Sequence, residues 1–344
     1  MAALTRPSRV MVRGAQPGEG AAVAALWREL WDAHEAWGGY PGSRDPRVYA
    51  QLAARLDDDA RVRAGHPILG RHVHLVADLD GMPCGQVEGW FERHGVDATT
   101  PFTCEVRSLV VRQDVRGLGA GRALLDALAD AGRALAHGAP CVLAAEVLEP
   151  NPAHGFYERV GYVPVAWCAR IDAARGAQLP APAARVAVPH DALALARLEA
   201  TLAARRRSGG DPRFDRPRAV DATLVGAIAA HLAAESASSL RDPTTLVALD
   251  GEGGVRASAG FTVHTLEPPF VPMRRALVGR FAVDPAFSAH QFVPPLVALA
   301  CRLALARAAP YVELTDLSPP GTELHAAALA TGACAWSRVV ARAA

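Results

Sequence analysis

The sequence contains no lysine; all 36 of its basic residues are arginine. They face 35 acidic residues, so the formal charge is only +1, and no basic surface for nucleic acid or for an anionic membrane is expected. The opening stretch, MAALTRPSRVMVRG, lacks the apolar segment of a signal peptide. Apolar runs such as Leu296 to Cys301 are too short to span a bilayer. The cysteines (Cys84, Cys104, Cys141, Cys168, Cys301 and Cys334) form no CxxC pair, so they read as reduced core or strand residues, not a disulfide framework or zinc site. His72 and His74 share a strand face but have no third ligand, so no metal is expected. The patterns GxSxG, HExxH, GxGxxG and GxxxxGK[ST] are missing as well. The expectation is a cytoplasmic protein with no metal, no nucleic-acid partner and no membrane span.

What is present is length, apolar content and a repeated order of elements. At on the order of 150 residues per domain, 344 residues suggest two domains, and 51% hydrophobic residues give each a core. In the first half, periodicity and turn signals predict a strand at Val10–Arg13 and helices at Glu19–Trp37 and Pro46–Arg63. A hairpin about Asp80-Gly81 follows, then a long strand at Phe102–Arg112 and a helix from Gly119 to His137. A strand at Cys141–Val147, a helix at Pro152–Val160 and a strand at Tyr162–Ile171 close the half. The Ala-, Pro- and Gly-rich stretch 172–184 reads as a linker between a domain at 1–171 and one at 185–344. After it the order repeats, ending in strands and helices at Arg275–Val283, Phe292–Arg307, Tyr311–Leu314, Thr322–Ala330 and Cys334–Arg342. The end of the long strand, Val111 against Val283, gives an offset of 172, and the late glycines, Gly161 and Gly332, give 171. Two landmarks at nearly equal offset argue for a duplicated unit.

The most informative segment runs from Val106 to Leu125. An apolar strand enters Arg116-Gly117-Leu118-Gly119-Ala120-Gly121-Arg122 and then an amphipathic helix. Glycines allow positive φ and close approach of a ligand to the backbone. A helix N-terminus presents unpaired N–H groups and the positive end of the dipole, so this turn is predicted to hold a diphosphate. A later segment, Asn151-Pro152-Ala153-His154-Gly155-Phe156-Tyr157-Glu158-Arg159-Val160-Gly161-Tyr162, reads as a short helix stopped by a glycine.

Together these segments resemble the GNAT superfamily of N-acetyltransferases. Arg116, Gly119 and Gly121 match the loop pattern [RQ]-x-x-G-x-[GA], and the preceding strand, Ser108 to Val111, also fits. The segment from Asn151 to Tyr162 is similar to N-x-x-A-x-x-[FL]-Y-x-x-x-G-[FY], except that the small residue is Gly155. The resemblance covers about residues 10 to 171. It implies a mixed α/β fold of two tandem GNAT-type domains, each with a mixed, mostly antiparallel central sheet flanked by helices.

The resemblance also implies acetyl-CoA as the acyl donor and a primary amine as the acceptor, meeting in a ternary complex. The backbone of Leu109, Val110 and Val111 would pair with the pantetheine arm. Arg116, Gly117, Leu118, Gly119, Ala120, Gly121 and Arg122 would hold the diphosphate, with Asn151 binding CoA or capping its helix. Tyr157 would be the general acid for the departing thiolate, and Glu105 the base, with Glu88, Glu92 and Glu146 as alternatives. Relatives carry a carboxylate on this strand where Arg107 stands here. Trp37, Tyr40 and Glu88 are acceptor-binding candidates, whereas Trp27 and Trp31 read as core.

The second half keeps the order but not the chemistry. Ser288, Gln291 and Val293 stand where Arg116, Gly119 and Gly121 do, and Ala328 stands for Tyr157. This half is expected to bind no acetyl-CoA productively and to serve as packing, as part of the acceptor pocket, or as a homodimer surface. A small-molecule amine is the expected substrate. Acetylation of a protein N-terminus or lysine, and a CoA-binding sensor without turnover, are the alternatives.

Overall fold

The structure is a computed structural model that describes residues 10–38, 45–93, 101–181, 183–214, 217–237, 244–266 and 273–344. The first half runs β1 (Val10–Gly14), α1 (Gly20–Ala36), α2 (Pro46–Arg63), β2 (Ile68–Leu69), β3 (His72–Leu79), β4 (Met82–Arg93), β5 (Phe102–Val111), α3 (Ala120–Ala136), β6 (Cys141–Leu148), α4 (His154–Arg159) and β7 (Val163–Asp172). The second continues with α5 (Ala173–Ala177), β8 (Ala184–Val186), α6 (Ala192–Ser208), α7 (Ala222–Ala237), β9 (Thr244–Leu249) and β10 (Val255–Leu266). It ends with β11 (Met273–Val283), α8 (Ala289–Ala306), β12 (Tyr311–Leu317), α9 (Glu323–Ala330) and β13 (Cys334–Ala343).

Local chemistry sets these boundaries. Asp45 caps α2 by accepting from the Arg47 N–H at 2.9 Å, and Pro46 occupies the first turn, where its missing donor costs nothing. α3 buries Leu124, Leu125, Leu128, Ala129, Gly132 and Ala136 on one stripe. Gly132 has to be glycine there, because a Cβ would lie 2.6 Å from the Phe91 ring. α8 starts before the double proline, and Pro294 and Pro295 sit inside it. By length and composition α8 could cross a bilayer, but it packs on α5 and α9 and buries Val293, Leu296, Val297 and Cys301 in the second half's core. The stretch 172–184 is not bare linker: it contains α5, where a Cβ on Gly176 would lie 2.3 Å from Cys301 Sγ.

The strands form a single sheet in the order β1-β3-β4-β5-β6-β13-β7-β12-β11-β10-β9-β8, with β2 beside β3. Among the described strands, only the β5–β6 and β11–β12 pairs are parallel. β13 lies between β6 and β7, and β7 continues onto β12. Each half therefore gives its last strand to the other. Helices α3, α4, α5, α8 and α9 cover one face through two large cores, and α1, α2, α6 and α7 cover the other.

Backbone geometry carries the duplication independently of sequence matching. Positive φ recurs at Ser108 and Arg280, at His137 and Ala308, and at Gly161 and Gly332. The separations are 172, 171 and 171 residues (280 − 108, 308 − 137, 332 − 161). Positive φ is uncommon for residues other than glycine, so the recurrence marks a repeated backbone path.

A buried charge cluster joins the halves on the α1/α6 face. Glu313, fully buried, accepts from Arg170 at 2.8 Å and pairs with Arg275. Arg170 also donates to the Gly38 carbonyl at the end of α1 (3.2 Å) and lies 3.2 Å from the Trp336 ring centroid. Both arginines share the one Glu313 carboxylate, so removal of Glu313 leaves two guanidinium groups without their shared partner.

The strand exchange generates a prediction. Residues 1–172 expressed alone lack β13 beside β6 and β12 beside β7. They are expected to form a strand-swapped dimer or to aggregate, as read by size-exclusion chromatography with light scattering. A monodisperse monomer with a cooperative melt would contradict the exchange.

Candidate active site

In the first half, β5 leaves β6 partway along its length. The parallel register runs from Phe102↔Cys141 to Val106↔Ala145 and stops. Beyond that point β5 stays with β4, and β6 stays with β13. A wedge-shaped gap opens between residues 107–111 and 146–148, bordered by Leu109, Val110 and Val111.

At the head of the gap β5 bulges. Ser108 has φ 53°, and the register jumps from Arg107↔Glu88 to Val110↔Gln86. A buried polar chain braces the bulge: Gln86 Nε2 donates to the Ser108 carbonyl at 3.4 Å, and Gln86 Oε1 lies 2.9 Å from His74 Nε2. Burial lowers the His74 pKa and keeps the ring neutral. The Ser108 carbonyl can only accept, so Gln86 must turn its own carbonyl to His74, and Nε2 of His74 carries the proton. Polar residues on an otherwise apolar pair of strands were the available sequence signal for this brace, and sequence reasoning did not use it.

The loop after β5 is open. Arg116 folds back, with Nε donating to the Val111 carbonyl at 2.9 Å and Nη2 reaching Glu29 on α1. Gly117 and Gly119 both have φ 89°, and a Cβ on either would meet nothing within 4 Å. Gly119 is the N-cap of α3 and provides no side-chain cap, so the first N–H groups of α3 are unspent. Leu118 is exposed, while Ala120 packs into the core. Gly121 faces Phe156, whose ring would stand 3.1 Å from an added Cβ. Arg122 donates to the Arg159 carbonyl at 3.2 Å, tying the loop to α4. The cradle thus has the donors, the space and the positive dipole end that a diphosphate requires.

Asn151 caps the α4 turn, its Oδ1 accepting from the Ala153 N–H at 2.9 Å. Tyr157 is 7% exposed, edge-on to the Phe156 and Tyr162 rings, and burial pushes its phenol well above the ordinary value. It therefore holds its proton through neutral pH.

The α1/α2 face beside the gap carries the carboxylates. Glu105 is exposed and paired with Arg107 at 2.5 Å, out in solvent. Glu88 is largely covered, with Oε1 3.5 Å from His72 Nε2. Burial alone would raise its carboxyl, but His72, His74 and Arg55 outweigh that and hold it low. His72 accepts from Arg63 at 2.5 Å and stacks on Trp90 at 4.4 Å. Glu146 sits one residue past the last β5–β6 pair; like Glu105 it is exposed, yet the surrounding protein raises its pKa. Trp37 is half-buried at the end of α1, its ring 5.6 Å from His34, which burial lowers to about 4. Tyr40 lies outside the described residues. Trp27 and Trp31 are core residues.

The second half fills its own equivalent of the cradle. Glu323, at the start of α9, accepts from the Ala289 N–H at 2.9 Å and bonds Ser288, the N-cap of α8. Its carboxylate occupies the place where an anion would bind, and the 171-residue offset puts Pro152 at the matching position of the first half. Thr322 caps α9, whereas Asn151 closes the turn before α4, and Ala328 fills the position of Tyr157.

Gly119→Ala is expected to cost about 1 kcal/mol of stability, because alanine resists the left-handed region. It should also weaken CoA binding about tenfold by misdirecting one N–H. Glu323→Ala should lower stability by about 1 kcal/mol through a lost cap and leave CoA binding unchanged. Calorimetric titration with CoA, paired with denaturant melts, reads both.

Residues 24–162 match the Acetyltransferase (GNAT) family. No curated protein matches the chain. Among solved structures, a GCN5-related N-acetyltransferase from Sphaerobacter thermophilus superposes at TM-score 0.56, with 17% identity over 98% of this chain and 97% of that one. The GCN5-related glucosamine N-acetyltransferase region of a fungal multi-domain GH3 beta-N-acetylglucosaminidase gives TM-score 0.50 and 14% identity, over 98% of this chain and 38% of that one. A tandem GNAT protein from the clavulanic acid biosynthesis pathway aligns at TM-score 0.48 and 16% identity, over 97% of this chain and 98% of that one. Residues 24–162 therefore match the Acetyltransferase (GNAT) family, and over nearly its whole length the chain shares the fold of a GCN5-related N-acetyltransferase.

Proposed function

We propose that the first half transfers an acetyl group from acetyl-CoA to the primary amine of a small molecule by direct attack in a ternary complex. The observation that carries this reading is the contrast at the two helix starts. α3 leaves its N–H groups open above a splayed strand pair, whereas α8 is already closed by Glu323.

Acetyl-CoA supplies the acyl thioester; the chain's residues grip, polarise and move protons. The turn from Arg116 to Arg122, with Asn151 nearby, holds the diphosphate. Leu109, Val110 and Val111 line the pantetheine path, and a strand N–H after the Ser108 bulge faces the thioester oxygen as charge develops there. The amine nitrogen bonds to the acyl carbon as the C–S bond breaks, and the electron pair leaves with sulfur. Tyr157 gives that sulfur a proton, and a carboxylate on the α1/α2 face takes the amine's proton.

Glu146 fits the base role better than Glu105. Glu105 is spent on Arg107, whereas Glu146, also exposed, stands one residue past the last β5–β6 pair with its pKa raised, chiefly by the surrounding protein. Glu88, held low by its partners, is better suited to attract the acceptor's positive charge than to take its proton. Glu88, Glu105 and Glu146 on one face favour a cationic acceptor, and α1 with Trp37 borders the same face. The end of α1 is tied across to Arg170, which narrows the approach and favours a small acceptor over a protein.

A thiol-release assay with acetyl-CoA against an amine panel tests the reading. Turnover with small amines is expected; release only with peptides would favour a protein acceptor, and CoA binding without release would favour a sensor. Tyr157→Phe should lower kcat by about 100-fold with little change in CoA affinity. The wild-type rate should rise with pH on the acid side. It should not fall near pH ~10, where an ordinary tyrosine ionises, because burial holds the Tyr157 proton.

A further inference from the structure

Glu146 does not stand on the first half alone. β13, the last strand of the second half, lies against β6 and brings Ser337 to it. The Ser337 hydroxyl donates to Glu146 Oε1 at 2.5 Å. Ser337 is fully buried, held between Leu148 of β6 and Cys168 of β7 as its neighbours in register. The 171-residue offset places Ala166 at the matching position of the first half's own last strand, and alanine carries no hydroxyl. The contact is therefore present on one side of the duplicated sheet, at the side whose cradle is open.

We propose that Ser337, supplied by the second half across the strand exchange, is a positioning residue of the acetyl-transfer site, holding the Glu146 carboxylate oriented and ionised to take the acceptor's proton. This rests on the function proposed above. The physical reason is that a hydrogen bond to a charged carboxylate favours the charged form and fixes which oxygen is free to accept. Once Ser337 occupies Oε1, Oε2 remains for the amine.

The other groups facing Glu146 are Glu105 on β5, Glu313 on β12, Arg275 on β11 and Cys168 on β7. Desolvation, Glu313 and Glu105 favour the protonated carboxyl, while Arg275 and Ser337 oppose them. Arg275, which also pairs with Glu313, stands on β11, so that counterweight comes from the second half as well. Loss of the Ser337 hydroxyl leaves the upward influences in place, and the proton-accepting form then appears only at higher pH.

The test uses full-length protein, Ser337→Ala and Glu146→Gln, alone and combined, with acetyl-CoA and the best amine of the panel. Ser337→Ala is expected to keep the wild-type thermal shift with CoA, which controls for folding. It should move the acid limb of kcat/KM up by about one pH unit and reduce kcat near neutrality about tenfold. Glu146→Gln should abolish that limb, and adding Ser337→Ala to it should cause no further loss. An active wild type whose acid limb is unmoved by Ser337→Ala, or further loss in the double variant, overturns the role of Ser337. A wild type that releases no thiol with any amine overturns the acetyltransferase reading itself, and this inference with it.

Discussion

The insertion of β13 between β6 and β7 is the pairing on which the rest of the molecule depends. It pairs with the edge of β6 away from β5 over residues 142–148, so β6 keeps a strand partner where it diverges from β5. The gap exists because a strand from the other half holds its far wall. The same insertion sends β7 onto β12, which makes one sheet of two and brings Arg170 and Arg275 onto the one Glu313 carboxylate at the seam. An isolated half would retain its helices and hairpins but lose the wall of its own site.

The two halves show how one backbone path can be kept while its chemistry is divided. The bulges at Ser108 and Arg280 and the left-handed turns at Gly161 and Gly332 repeat the same geometry. What differs is where charge is placed. α3 begins on glycines with its donors exposed; α8 begins against the Glu323 carboxylate. An anion site built from a helix N-terminus is closed as effectively by an internal carboxylate as by bulk, and at less cost to the fold. The second half, with the start of α8 closed in this way, also gives β13 to the first half's sheet.

Buried polar groups set the finer geometry. Gln86 and His74 brace the bulge at Ser108 from within the buried sheet. Tyr157 is buried among aromatic rings and retains its proton, whereas Glu146, desolvated but reached by solvent, becomes a stronger base. Environments that push two groups' proton affinities upward for opposite uses, one to give and one to take, suit a site that moves two protons in one transfer.

Local sequence determined the elements and the glycine turn proposed to hold the diphosphate, because these depend on neighbours along the chain. Asp45-Pro46 starts α2, Asp80-Gly81 turns the β3–β4 hairpin, and Arg116 to Arg122 joins a strand to a helix over few residues. The duplication was legible for the same reason, as equal offsets between turn residues. The carboxylates were legible as a set on one face, but not which of them stands at the gap. That depends on where β5 leaves β6, on Arg107 lying beside Glu105, and on Ser337 arriving from 191 residues away. Strand alternation assigns a side chain to a face, yet its solvent, its ion partner and its proton affinity come from other strands. Strand order is a property of long-range pairing, and only the tertiary structure decided that the last strand of each half completes the other.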